Sequence, residues 1–284
     1  MKSATINFQG KKVFYRTFGD GKRKCFFYHG FPGSSIQAEV ICPYLEELDL
    51  QICSIDRPGY GASEKNKRFQ ISDTPDLIEQ LAQELRWKKF IHVAVSGGTP
   101  YALAASQLKG SETCLVFGAL GPLTEEHLFR SYAGIAQALM LAALFLPSIA
   151  FELPVKVWKV IFRENMKRGV RRTAYLSKRD VEVLANEKTK KILEQSVDEA
   201  FAQGVSGPRR DIGRFQRPWN FDFHKIACPV ILYHGTEDRV NKPAHSEHLH
   251  NKIPTAVLEL VSGEGHYSLP IDFSYGALRK HLKG

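Results

Sequence analysis

Short apolar runs alternate along the chain with segments of helical spacing, which predicts strands and helices in turn. Thr5–Phe8 and Lys12–Phe18 read as an opening antiparallel pair. Strands follow over Lys24–Tyr28, Gln51–Ile55, Phe90–Val95 and Thr113–Phe117. Helices are predicted over Ile36–Leu48 and Asp73–Leu85, the second with Ser72 or Asp73 as cap ahead of Pro75. From Leu123 to Phe221 the pattern is helical, with no convincing strand. Strand pattern resumes at Pro229–His234 and Ala256–Val261, and Phe273–Leu282 reads as a closing helix. This alternation predicts an α/β fold, a mostly parallel sheet flanked by helices. The expected division is an α/β core over residues 1–122 and 221–284, interrupted by a helical cap over 123–220. Gly121-Pro122 and Arg217-Pro218 supply breakers at its edges.

The chemistry lies where predicted strands end. Phe90–Val95 runs straight into Ser96-Gly97-Gly98, then Thr99-Pro100 and the helix-like Tyr101–Ser106. Proline suits the first turn of a helix, where its missing N–H is not needed. Ser96 therefore falls on a sharp strand-to-helix turn, with the small residues Ala94, Gly97 and Gly98 around it. Such a turn exposes a hydroxyl beside backbone N–H groups, both of which acyl transfer requires. By itself this string also fits a plain glycine loop.

Composition narrows the class. The chain has 284 residues, 43% of them hydrophobic and 24% charged, as in ordinary globular proteins. Its five cysteines show no CxxC spacing, which argues against a disulfide framework and for the cytoplasm. The N-terminus has no secretory pattern, and no HExxH metal motif is present. A net charge of +9 permits acidic partners, but no nucleic-acid motif accompanies it, so nucleic-acid binding is not expected. Ser131–Phe151 carries no charge and approaches membrane-spanning length, yet Pro147 interrupts it; buried or pocket-lining helices are the expectation. Lys156, Lys159, Arg163, Lys167, Arg168, Arg171, Arg172, Lys178 and Arg179 form a basic run. It reads by default as a solvated face, with anionic lipid or an acidic substrate as the sharper alternative.

A serine nucleophile needs a base, an orienting acid and oxyanion donors. His266, in Ser262-Gly263-Glu264-Gly265-His266-Tyr267, follows the last strand and is the candidate base. Asp238 follows the strand over Pro229–His234 and is the candidate acid, with Glu237 as its neighbouring rival. The turn Tyr28-His29-Gly30-Phe31-Pro32-Gly33 offers an oxyanion donor. Pro32 has no N–H, so Phe31 is the candidate, converging with Gly97.

With His29–Gly33, Asp56-Arg57-Pro58-Gly59-Tyr60-Gly61-Ala62-Ser63, Ala94–Gly98, His234–Val240 and Gly265-His266 in this order, the chain resembles the serine-dependent α/β-hydrolase superfamily. The resemblance spans about residue 25 to 267. It implies Ser96, Asp238 and His266 as a triad and a helical cap over the site. Ala94 replaces the usual first glycine of the nucleophile motif, and the serine at 96 argues against relatives that use an aspartate nucleophile. Residues 56–63 either brace the site or touch substrate through Arg57 or Tyr60.

The expected activity is hydrolysis of a small-molecule carboxylic ester with a hydrophobic acyl or aromatic part, without metal or organic cofactor. Phe31, Phe129 and Tyr132 are the candidate substrate contacts. Amide, thioester or carbon–carbon cleavage, perhydrolysis, and a non-catalytic ligand-binding role stay open. Oligomeric state is not legible.

Overall fold

The computed structural model describes residues 1–132, 135–145, 150, 152, 153, 155 and 176–282. One eight-stranded sheet organises them, in the order β1-β2-β4-β3-β5-β6-β7-β8. The strands are β1 (Lys2–Phe8), β2 (Lys11–Phe18), β3 (Arg23–Tyr28), β4 (Leu50–Ile55), β5 (Phe90–Val95), β6 (Ser111–Phe117), β7 (Val230–Gly235) and β8 (Ala256–Val261). β1 pairs with β2 and β2 with β4 antiparallel; the other neighbours run parallel. The α/β-hydrolase fold expected from the sequence is therefore the one observed.

β5 shows why the central strands are uniformly apolar. Phe90 and Ala94 pack on one face and Ile91, Val93 and Val95 on the other. Helices cover both sides, so no position of the strand faces water. The first face is covered by α1 (Thr74–Glu84) and α2 (Thr99–Ala105), through Leu77, Ile78, Leu81 and Tyr101. The second is covered by the closing helix, Ser274–Leu282, through Ala277, Leu278 and Leu282, together with Ile36 and Ala38.

One predicted helix is corrected. Ile36–Leu48 does not form an α-helix; it forms 3-10 turns over Ser35–Val40 and Cys42–Tyr44. Pro43 falls in the middle of this stretch and cannot donate the N–H that an α-helix through Leu48 would use.

Between β6 and β7 the described residues form helices: α3 (Glu126–Phe129), α4 (Ile135–Phe145), α5 (Lys178–Leu184), α6 (Glu187–Ala200) and α7 (Ser206–Phe215). α8 (Ala244–Lys252) follows β7, and Ser274–Leu282 becomes α9. Among the described residues, no helix is long and apolar enough to cross a membrane. The basic run from Lys156 to Arg172, and the apolar Phe151, Trp158 and Phe162, lie outside the described residues.

Candidate active site

Parallel strands bring their C-terminal ends to one edge, the usual place for a site in such sheets. Ser96 follows β5, Gly118 follows β6, Asp238 follows β7, His266 follows β8, and the His29–Phe31 turn follows β3. The backbone of Ser96 has φ +50°, a left-handed conformation that an L-residue adopts only under local constraint. Ser96 starts a 3-10 turn through Gly98, and α2 begins at Thr99. A Cβ on Gly97 would sit 2.6 Å from the Phe31 Cβ and 3.2 Å from the Phe31 nitrogen. The absence of a side chain at 97 thus lets the Phe31 amide approach the turn. The Phe31 ring meets Phe215 of α7 edge to face, with centroids 5.7 Å apart.

Asp238 and His266 are both buried, and His266 Nδ1 lies 2.7 Å from Asp238 Oδ2. Asp238 Oδ1 accepts the Val240 and Asn241 amides at 2.9 Å each. Burial works against the charged form of both groups. Their mutual attraction outweighs it, holding the Asp238 carboxyl below its ordinary range and the His266 imidazole above its own. Asp180 also acts on His266 in the same direction. Glu237, the rival acid, is exposed and reaches Arg239 instead.

The Ser96 hydroxyl accepts from Asn241 Nδ2 at 3.2 Å. The Asn241 orientation is fixed by its other contacts. Nδ2 also donates to the Gly118 carbonyl at 3.1 Å, and Oδ1 accepts from the Tyr132 hydroxyl. Tyr132 thus stands one residue removed from the serine, whereas Phe129 lines a surface depression with Glu126, Arg130 and Gln137.

Arg57 is buried. It donates to the His29 carbonyl at 2.6 Å and the Gly30 carbonyl at 3.0 Å, bracing the turn that carries Phe31. Its Nε meets Asp211 Oδ2 at 2.6 Å. Asp211, on α7, also accepts from Arg214 and from the Tyr60 and Tyr101 hydroxyls. Burial raises the Asp211 pKa, but the two guanidiniums and two hydroxyls more than offset this and hold it below the ordinary value. Arg57 and Tyr60 are thus tied through Asp211 to α7.

Residues 19–267 match the family described as serine aminopeptidase, S33. The chain belongs to this S33 family of α/β hydrolases. The hydrolase is 25% identical over 273 residues to the uncharacterized hydrolase YugF of Bacillus subtilis (strain 168), covering 90% of this chain and 88% of that one. Its fold resembles a bromoperoxidase from Bacillus anthracis at TM-score 0.74 and 19% identity, covering 100% of this chain and 99% of the other. It also resembles the esterase EaEST from Exiguobacterium antarcticum, at TM-score 0.73 and 16% identity, over 99% of both chains. At such identities the structural likeness is one of fold.

Three residues of the candidate site escape sequence reasoning: Asn241, Asp180 and Asp211. The local signal for Asp180 is Ser177-Lys178-Arg179-Asp180, a helix-capping string. Asp211 ends the charged run Arg209-Arg210-Asp211 and resembles a solvated face. Asn241 carries no signal beyond lying close after Asp238.

Proposed function

We propose that the protein is a serine hydrolase that cleaves carboxylic esters of small to medium hydrophobic or aromatic acids through an acyl-enzyme. The observation that carries this reading is the buried 2.7 Å contact between His266 Nδ1 and Asp238 Oδ2. It occurs at the same sheet edge as a serine on a strained strand-to-helix turn. In the reaction, Ser96 Oγ turns from Asn241 toward His266, gives its proton to Nε2 and attacks the acyl carbon. The Phe31 and Gly97 amides receive the developing oxyanion. The leaving alkoxide takes the proton from His266, and the acyl group stays on Ser96. Water then gives a proton to His266 and attacks the acyl carbon; Ser96 Oγ leaves and is reprotonated.

The apolar preference rests on Phe31 and Phe215, whose rings meet edge to face, with the tip of the Phe215 ring beside Gly97. The residues between β6 and β7 serve as a cap in this reading, since Phe215 and Tyr132 reach the site from there. Labelling with a fluorophosphonate probe, followed by peptide mass spectrometry, tests the assignment. The adduct is expected on Ser96 and absent from Ser96→Ala. A folded protein that takes no label at Ser96 would overturn it. An ester panel of graded acyl length then reads the pocket.

A further inference from the structure

Asp180 begins as a local capping residue and does more than cap. Its Oδ2 accepts the Ser177 amide at 3.1 Å, and its own amide donates to Ser177 Oγ at 3.0 Å, closing the first turn of α5. The same carboxylate reaches out of its helix to the loop after β8. Oδ2 accepts the His266 amide at 3.2 Å, while Oδ1 accepts the Tyr267 amide at 2.7 Å and the Ser268 amide at 2.9 Å. The residue is fully buried. Three successive amides of the loop that carries the imidazole therefore end on one acid from a distant part of the chain.

Two further observations show that the two segments are fitted to each other. A Cβ on Gly265 would collide with the Asp180 carboxylate and the Ser177 hydroxyl, so the glycine before His266 is what admits the acid. Arg179, next in the helix, bridges Glu264 at 3.6 Å and Asp272 at 2.9 Å, on either side of the clasped amides. The charged and titratable groups facing His266 are Asp238 and His234 from β7 and its loop, Asp180 from α5, and the adjoining Tyr267.

We propose that Asp180 is a positioning residue for His266: an acid from the helices between β6 and β7 clasps the His266–Ser268 amides and so fixes the imidazole against Asp238. The proposal rests on the reading of His266 as the base. Displacing a catalytic group by about 1 Å can cost about 10²-fold in rate. An asparagine at 180 would keep the shape, lose the charge, and turn an NH₂ toward groups that are themselves donors.

The test compares Asp180→Asn with the wild type by three readouts: the imidazole titration of His266 by NMR, the rate of phosphonate labelling at Ser96 across pH, and thermal melting. Folded Asp180→Asn is expected to titrate His266 at lower pH, because a nearby negative charge is gone, and to label at least about tenfold more slowly. Asp211→Asn, which removes another buried acid of the same segment away from His266, should leave that titration at the wild-type position. An Asp180→Asn protein that melts lower but keeps the wild-type titration and labelling rate would reduce Asp180 to a fold-stabilising role and overturn the proposal.

If Asp180→Asn does not fold, Asp180→Glu decides. It keeps the charge on a longer arm, so slowed labelling supports positioning, and a wild-type rate overturns it. His266→Gln separates the two layers. Unchanged labelling there removes the base assignment, while the NMR titration of wild type against Asp180→Asn, both of which keep His266, still reads whether Asp180 holds the imidazole.

Discussion

Asp211→Ala is the perturbation with the largest consequence that the structure allows to be worked through. The carboxylate joins Arg57 Nε at 2.6 Å, Arg214 Nη1 at 2.7 Å, Tyr101 Oη at 2.7 Å and Tyr60 Oη at 2.9 Å. All five side chains are buried. Removing one partner of a buried ion pair costs about 3–5 kcal/mol, because the other charge is left uncompensated. The lower end applies, since Arg57 keeps the His29 and Gly30 carbonyls and Arg214 keeps the Phe69 carbonyl. Each orphaned tyrosine hydroxyl adds about 1 kcal/mol.

The total is about 5 kcal/mol, a large part of the roughly 5–15 kcal/mol that folded proteins have. With a urea slope near the upper value of about 3 kcal/mol per molar, the midpoint should fall by about 1.7 M. A fall under about 0.3 M would refute the reasoning, since Asp211 would then contribute no more than an exposed ion pair. The pH dependence has a definite sign. The Asp211 pKa is depressed on folding, so its contribution is complete above about pH 4, the unfolded value, and is lost as pH drops toward the folded one. The stability gap between wild type and Asp211→Asn should therefore narrow in acid.

Two other predictions concern protonation. The His266 pKa is raised, so the acid limb of Ser96 labelling should lie above the imidazole's ordinary value of about 6.5; Asp238→Asn should lower that limb and slow labelling by roughly 10⁴. A wild-type profile in that variant would separate Asp238 from the reaction. Burial pushes the thiols of Cys25, Cys53, Cys114 and Cys228 up and that of Cys42 up to about 12. An aromatic disulfide reagent at pH 8 should therefore leave the native thiols largely unreacted, then titrate all five cysteines in denaturant. Rapid stoichiometric reaction of the native protein would contradict the burial.

The central strands were legible because they are buried on both faces, so their apolar runs are continuous and their ends carry turn residues. The helix Ala244–Lys252 was not, because His245, His248 and His250 break its apolar stripe and only Leu249 is a buried large aliphatic side chain. Histidine identity alone was equally mute. His92 is buried between the Tyr28 and Ser111 hydroxyls, and His234 between Ser246 Oγ and the Asn241 carbonyl. Only His266's position after the last strand distinguished it. Asp180 and Asp211 were unreadable for a different reason. Their long-range partners lie 86 to 88 residues away for Asp180 and 110 to 154 for Asp211, whereas their neighbours are charges of the kind that coat an exposed helix. The contacts that bury them exist only after the chain has folded.

The chain order of the site has a consequence for biosynthesis. Ser96 and the Phe31 turn leave the ribosome early, whereas Asp238 and His266 follow only after the entire segment between β6 and β7. At ordinary elongation speeds, about 10–30 s separate translation of Ser96 from that of His266. For most of that interval β6 lacks the neighbour that will cover its edge, since β7 is made only after the whole segment between them. A nascent chain stalled there would present an open sheet edge and, under the proposed roles, a nucleophile with no base beside it. Such intermediates should be inert toward phosphonate probes, prone to capture by chaperones, and able to acquire reactivity in one step once the last strand and its loop are released.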